Sequence, residues 1–359
     1  MIRSIKGAVS LLEKAYPIRT DLALESQERL KEERGTVKGV RFHEEKREHG
    51  VVVSTVVIET ENAAHAMGRP KGTYVTIEAP EMVEEDEGYH RDISLELARI
   101  IRQVLPQESK EKSMREREGK PVDRDMEETA QDLADKLRQG LDVSVLVVGL
   151  GNREVTPDAL GPRVVDNLFI TRHIMNEFGR YAFSDEDVSR ISGIVPGVMA
   201  QTGMECVEIL RGVVKETNPD FVITVDALAA RNVKRLGRTI QLTDTGITPG
   251  SGIGNHRNAI NRESIGVPVI SLGVPTVVDA ATIVSDAMTT LIEAMSLADL
   301  QELDERERQE LARELLSPQL NGLFVTPKNI DDSIKTLSFL ISEGLNVAFL
   351  GNKEESQSI

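Results

Sequence analysis

Two aspartates in similar surroundings are the residues of this sequence best suited to chemistry. Asp158 lies in TPDAL, after one apolar run, and Asp226 lies in VDAL, at the end of another. They are separated by roughly two strand-helix units, so neighbouring parallel strands would bring both carboxyls to one rim of a sheet. In a close pair one carboxyl can activate water while its protonated neighbour polarises a carbonyl. Each aspartate would serve equally well as a helix cap, and the pattern alone leaves both interpretations open.

Two glycine-rich segments bear on other kinds of chemistry. Gly149 and Gly151 begin a nucleotide-binding pattern, but Glu154 stands where the third glycine belongs and would repel a phosphate. The loop DTGITPGSGIGN (244–255) is either a nest of N–H groups for a carbonyl or an oxyanion, or a long crossover. Its Asp244-Thr-Gly matches the all-β pepsin-like enzymes by chance, because the rest of the chain does not have an all-β pattern.

Metal-ligating side chains are scarce. None of the six histidines forms a His-Glu-x-x-His signature, and His256 is the only plausible ligand beside the two aspartates. We therefore expect neither a metal nor another cofactor. The single cysteine, Cys206, excludes an intrachain disulfide, fits a reducing compartment and is interpreted as a small core residue, not a nucleophile.

The elements that must position the aspartates can be recognised from their patterns. Continuous apolar runs at 143–152, 221–231 and 267–280 are typical of strands buried on both faces, and helical periodicity separates them. This alternation predicts an α/β protein with a largely parallel open sheet and helices on both faces. Alternating β-branched segments further predict a small β-rich subdomain at about 36–80.

Composition excludes several classes of protein. The 359 residues are 40% hydrophobic, as in a globular protein, and no run approaches the roughly 18 apolar residues of a membrane span. A net charge of −16 argues against direct binding to nucleic acid. The nearly all-polar segment at about 107–123 is predicted to be a solvated charged loop. The amino terminus does not have the long apolar region of an export signal.

Several motifs, in order along almost the whole chain from Arg19, resemble the germination protease family of endospore-forming bacteria. They are RTDLALE (19–25), VVGLGN (147–152), TPDALGP (156–162), IVPGVM (194–199) with TG (202–203), VDALAAR (225–231), TDTGITPGSGIGN (243–255), GVPTVVDA (273–280) and VTPK (325–328).

The resemblance implies a homotetrameric endopeptidase that begins to degrade small acid-soluble spore proteins during germination, in the cytoplasm of the developing forespore and the spore core. The family's essential aspartates match Asp158 and Asp226 of this sequence. The family is classed as atypical aspartic-type and has also been classed as metallo-type. Its fold is similar to that of the nickel-binding hydrogenase-maturation endopeptidases, so the alternative is a metal-dependent maturation-type peptidase.

The resemblance also implies a zymogen that cleaves itself. Family substrates are cut after an acidic residue in a sequence like Thr-Glu-(Phe/Ile)-Ala-Ser-Glu, and residues 20–25, TDLALE, are similar to it. We therefore expect self-cleavage between Asp21 and Leu22, which divides the chain into a prosegment (1–21) and a single α/β peptidase domain (22–359). Arg163 and Arg231 are candidates for binding the acidic residue of a substrate.

Overall fold

The computed structural model describes residues 20–35, 37–84, 86–104, 143–183, 188–250, 257–280, 282–284 and 322–350. The predicted charged loop at 107–123 and prosegment residues 1–19 lie outside these ranges. The strands are β1 (Val40–Lys46), β2 (Val52–Ile58), β3 (Gly72–Glu78), β4 (Ser144–Gly149), β5 (Arg190–Ile194), β6 (Phe221–Ala230), β7 (Thr239–Thr243), β8 (Val269–Asp279) and β9 (Phe324–Val325). The α-helices are α1 (Ala23–Arg34), α2 (Glu61–Met67), α3 (Glu87–Val104), α4 (Leu160–Asn167), α5 (Arg172–Phe178), α6 (Met199–Thr202), α7 (Cys206–Thr217), α8 (Arg262–Ile265) and α9 (Ile330–Phe349).

The strands of the described part of the chain form one mixed sheet. Its order is β1-β2-β3-β7-β8-β6-β4-β5, and β9 pairs with β8. The four strands β8, β6, β4 and β5 are parallel to one another. The neighbouring pairs β1–β2, β2–β3, β3–β7 and β7–β8 are antiparallel. The predicted α/β class is confirmed, and the strands of the β-rich segment extend the same sheet through the pairing of β3 with β7.

Alternate residues of the parallel strands fill two separate cores, which explains their continuous apolar sequences. In β4, Val145 and Val147 belong to one core, and Leu146 and Val148 belong to the other. Helices α3, α4 and α9 cover the first face, and α7 and α8 pack over the second face beside the parallel strands. Because each residue of such a strand is out of water, every position favours an apolar side chain.

Helices α1 and α2 cover the antiparallel part of the sheet, where they pack against β2 and β3. Helix α3 is strongly amphipathic, and its apolar side, including Ile93, Leu97 and Ile101, is buried against α9 and the sheet. Among the described residues no helix combines the length and apolarity needed to cross a bilayer.

Candidate active site

The site lies where β4 ends and its neighbour β6 continues. Gly149 and Val225 are the last paired residues of these two strands, and β6 then runs on to Ala230. Asp226 is therefore the first residue of β6 beyond the end of β4. The sequence placed Asp226 at the end of its strand; it lies within the strand, because β8 continues to pair with β6 as far as Ala230.

A tight turn after β4 brings Asp158 to the same end of the parallel strands as Asp226. Gly151 has a φ of 111°, and a Cβ atom there would lie 2.0 Å from the carbonyl oxygen of Asp158. The N–H of Asn152 donates to Oδ2 of Asp158 over 2.8 Å. Since only glycine permits this approach, the glycine at 151 serves to pack the turn against Asp158.

Neither aspartate caps a helix. Ala159 is the N-cap residue of α4, and no side chain caps that end. Asp158 ends the 3₁₀ turn Thr156–Asp158, and Asp226 lies inside β6. The capping interpretation of the two residues is therefore wrong.

Both carboxyls have raised pKa values, and the charge of Asp158 contributes to that of Asp226. Burial raises the pKa of Asp158 to about 6, against the hydrogen bond from Asn152. Burial, followed by the negative charges of Asp158 and Asp21, raises the pKa of Asp226 well above its ordinary value, against a hydrogen bond from the N–H of Ala227. As the pH rises, the pair therefore passes through a state in which Asp226 still holds a proton and Asp158 is ionised.

Both aspartates line one cavity of about 360 Å³. Asp21 and Cys206 also line it. The Sγ of Cys206 contacts the carbonyl oxygen of Gly197 at 3.4 Å, and burial together with the charge of Asp226 raises the pKa of the thiol. A raised pKa disfavours the thiolate. Cys206 is partly buried against the second core, and its not being a nucleophile stays a prediction.

The predicted cleavage site is docked beside this cavity. The N–H of Asp21 donates to the carbonyl of Ala229 over 2.8 Å, and the N–H of Ala229 donates to Oδ2 of Asp21 over 2.9 Å. The Nε2 of Gln241 donates to the carbonyl oxygen of Asp21 over 2.8 Å. Leu22 is fully buried in an apolar cluster with Leu228 and other side chains. The Asp21–Leu22 peptide is therefore held by groups from both β6 and β7.

Glu25, four residues beyond Asp21, occupies a second anchored position. It is only 4% exposed, and its carboxylate accepts from the backbone N–H groups of Arg231 (2.8 Å) and Asn232 (3.0 Å). Arg235 Nη1 lies 3.4 Å from the same carboxylate. This buried anion is thus compensated by a cation and by oriented donors.

Arg69, from the turn between α2 and β3, is a cation close enough to Asp21 to interact with its charge. Burial lowers the pKa of Arg69, and the charge of Asp21 opposes this effect. Of the two predicted candidates, Arg163 is exposed on α4 next to the charge of Asp166. The backbone N–H of Arg231 donates to Glu25, and the role of either side chain in binding an acidic residue stays a prediction.

Within the described ranges no three His, Cys, Asp or Glu side chains converge on a possible metal position. His256, the histidine that the sequence singles out, lies outside those ranges, as do residues 251–255 of the glycine-rich loop. Pro249 and Gly250 from the beginning of that loop line the cavity.

Sequence reasoning did not identify Arg69, Arg235 and Gln241. Arg69 and Gln241 lie in segments without a chemical motif and come together with Asp21 only through the pairing of β3 with β7. The available signal was a lone glutamine in the otherwise apolar and hydroxyl-bearing strand TIQLT (239–243), which is buried throughout.

Fold and site together define a mixed α/β protein in which a half-buried Asp158 and a buried Asp226 line one cavity near the carboxyl end of β4, an arrangement suited to hydrolysis. The family model described as Germination protease matches residues 18–118, 108–297 and 293–358. The chain is 44% identical over 352 residues to the germination protease of Caldanaerobacter subterraneus subsp. tengcongensis, covering 95% of this chain and 97% of that protein. It is 41% identical to the germination protease of Clostridium perfringens (strain ATCC 13124), covering 94% of this chain and 96% of that protein, and 35% identical to that of Bacillus cereus (strain G9842), covering 93% and 94%.

The chain belongs to the germination protease family, a family of peptidases.

Proposed function

We propose that this protein is the zymogen of an endopeptidase, that it cuts itself between Asp21 and Leu22, and that Asp158 and Asp226 activate water for the cleavage. The observation that carries the proposal is the position of Asp21, which lines the same cavity as both aspartates. Its charge contributes to the raised pKa of Asp226, so the docked segment lies within electrostatic reach of the pair.

In the proposed reaction the ionised Asp158 takes a proton from water, and the water oxygen attacks the carbonyl carbon of Asp21. Protonated Asp226 donates to the carbonyl oxygen as negative charge develops there. The C–N bond then breaks, and the proton held by Asp158 passes to the leaving nitrogen of Leu22. The products are a new carboxyl group on Asp21 and a new amino group on Leu22.

We propose small acid-soluble spore proteins as the substrate, cleaved during germination in the spore core by a homotetramer. Family membership and the docked TDLALE segment support this assignment. Its residues at positions 21 and 25 are acidic, and each lies close to an arginine, Arg69 and Arg235 respectively. A substrate with acids at the same spacing would complement both cations.

The test is to incubate the full-length precursor at mildly acidic pH and determine the amino terminus of the product. We expect Leu22 as the new terminus, and no product from the Asp158→Asn or Asp226→Asn precursor, each of which should remain folded. A folded Asp158→Asn precursor that still cleaves itself would disprove the aspartate mechanism. Activity lost to a chelator and restored by one divalent ion would instead favour the metal-dependent maturation-type peptidase.

A further inference from the structure

Gln241 is a buried amide on the face of the sheet that receives the cleavage segment. Its neighbours on β7, Ile240 and Leu242, point into the core on the opposite face, and Gln241 is 6% exposed. A buried primary amide is costly unless both of its ends are hydrogen-bonded. The partners of Gln241 therefore indicate what this side chain is for.

Both ends of the Gln241 amide bind the backbone around the predicted cleavage point. Nε2 donates to the carbonyl oxygen of Asp21 over 2.8 Å, and Oε1 accepts from the N–H of Ala23 over 2.6 Å. The first partner is the carbonyl of the Asp21–Leu22 peptide itself. The orientation of the amide is fixed by these partners, because a backbone N–H only donates and a carbonyl oxygen only accepts.

Gln241 also lies in register with Asp226. Each is paired with Gly273 of β8, so the three residues form one row across β7, β8 and β6. Two strand spacings put the Cα atoms of Gln241 and Asp226 about 10 Å apart. The residue between them is a glycine, at which a Cβ would lie 2.5 Å from the Leu228 side chain. Gln241 thus places a hydrogen-bond donor on one side of Gly273, and Asp226 places a carboxyl group on the other side.

We propose that Gln241 is a further catalytic residue, which clamps the peptide to be cut and polarises its carbonyl from the side opposite Asp226. This inference rests on the proposed self-cleavage. The Nε2 donor binds the oxygen on which negative charge develops, and a preorganised donor at that position stabilises the transition state. The Oε1 acceptor binds the N–H of Ala23, which fixes the register of the chain so that the Asp21 carbonyl meets the donor. A protein substrate would be held in the same way.

The experiment measures the first-order rate of self-cleavage of full-length precursors by gel and amino-terminal sequencing. Gln241→Glu keeps an acceptor for Ala23 but presents a carboxylate oxygen to the Asp21 carbonyl, and Gln241→Met keeps the approximate shape without either hydrogen bond. Since loss of a single such donor lowers rates on the order of 10²–10³-fold, we expect at least the lower value for both variants.

The matched control is Thr239→Val. Thr239 is 1% exposed, two residues from Gln241 on the same face of β7, and its Oγ1 has no hydrogen-bond partner within the described chain. We expect this control to cleave itself at nearly the rate of the unaltered precursor. A folded Gln241→Glu or Gln241→Met precursor that keeps pace with the control would overturn the proposal. If the Gln241 variants cleave themselves at the unaltered rate while Asp158→Asn is inactive, the role of Gln241 is refuted but the aspartate mechanism is not.

If the Gln241 variants do not fold, Ala23→Pro tests the clamp from the other side. Ala23 is the first residue of α1, where proline is well tolerated, and Leu22 before it has φ −87° and ψ 122°, which suits a residue preceding proline. The substitution removes the N–H that binds Oε1 without altering the sheet. We expect slower self-cleavage in a folded protein, and an unchanged rate would contradict the clamp.

Discussion

Arg69 donates from Nη2 to the carbonyl oxygen of Thr20 over 2.8 Å, and so ties the antiparallel part of the sheet to the residue before Asp21. The next peptides along the chain are held by Ala229 of β6 and Gln241 of β7. Three segments remote in sequence therefore fix one short stretch of backbone. Because each contributes a different polar group, the stretch has a defined register relative to Asp158 and Asp226.

We predict that Arg69→Met slows self-cleavage at least about tenfold, because a hydrogen-bonded charge interaction of this kind contributes about 1.5–3 kcal/mol. The effect should be smaller in an Asp21→Asn precursor, in which the partner charge is absent. The measurement is the self-cleavage rate of the four proteins of this double-mutant cycle. Arg163→Met, which removes an exposed arginine of α4, is the control and should leave the rate unchanged. Equal effects of Arg69→Met in both backgrounds would contradict recognition of the acid.

The rate of self-cleavage should depend on pH through both aspartates. Below about 6 Asp158 takes up a proton and can no longer accept one from water, so the rate should fall towards acid with a midpoint near that value. At high pH the loss of the proton from Asp226, whose pKa is raised well above normal, should lower the rate again. A series of buffers of constant ionic strength would reveal this bell shape. A rate that rises steadily down to pH 4 would argue against Asp158 as the base.

Asp158→Asn should stabilise the folded protein at neutral pH. The pKa of Asp158 is raised from 3.8 to about 6, so the folded state binds the proton more tightly than the unfolded state. The free energy of unfolding of the unaltered protein therefore falls by up to about 3 kcal/mol as the pH rises from 3.8 to about 6. The asparagine variant has no such loss. Thermal unfolding should show a higher Tm for Asp158→Asn at pH 8, and the difference should vanish near pH 3. An equal difference at both pH values would show that the effect is not the charge of Asp158.

Gly151→Ala should abolish self-cleavage. Its Cβ would lie 2.0 Å from the carbonyl oxygen of Asp158 at a φ of 111°, so the turn that carries Asp158 must move, at a cost of roughly 1–3 kcal/mol or more. Gly203→Ala is the matched control, because Gly203 also has a positive φ, of 71°, but nothing within 4 Å of the Cβ position. We expect this control to lose about 1 kcal/mol of stability and to keep its activity. Full activity in Gly151→Ala would mean that this turn does not position the catalytic group.

The sequence by itself determined the fold class and the neighbourhood of the two aspartates. Apolar runs such as 143–152 read as strands because a strand buried on both faces accepts only apolar residues, and that requirement is local. The prediction that Asp158 and Asp226 lie near the carboxyl end of β4 then followed from the geometry of parallel sheets, although Asp226 lies within β6 and not after it. The resemblance of the TDLALE motif to family cleavage sequences likewise predicted a cleavage point between Asp21 and Leu22.

Only the tertiary structure decided which groups contact the predicted cleavage segment. Strand pairing is a long-range choice that leaves little trace in local composition: β3 pairs with β7, and Gly273 aligns Gln241 with Asp226. Arg69 and Gln241 do not belong to a recognisable motif, because each contributes a single hydrogen-bond donor whose position depends on how the strands pair. The sequence predicted that one aspartate of a close pair would hold its proton, but not which one, because the burial and the neighbouring charges of Asp158 and Asp21 that raise the pKa of Asp226 arise only in the folded chain.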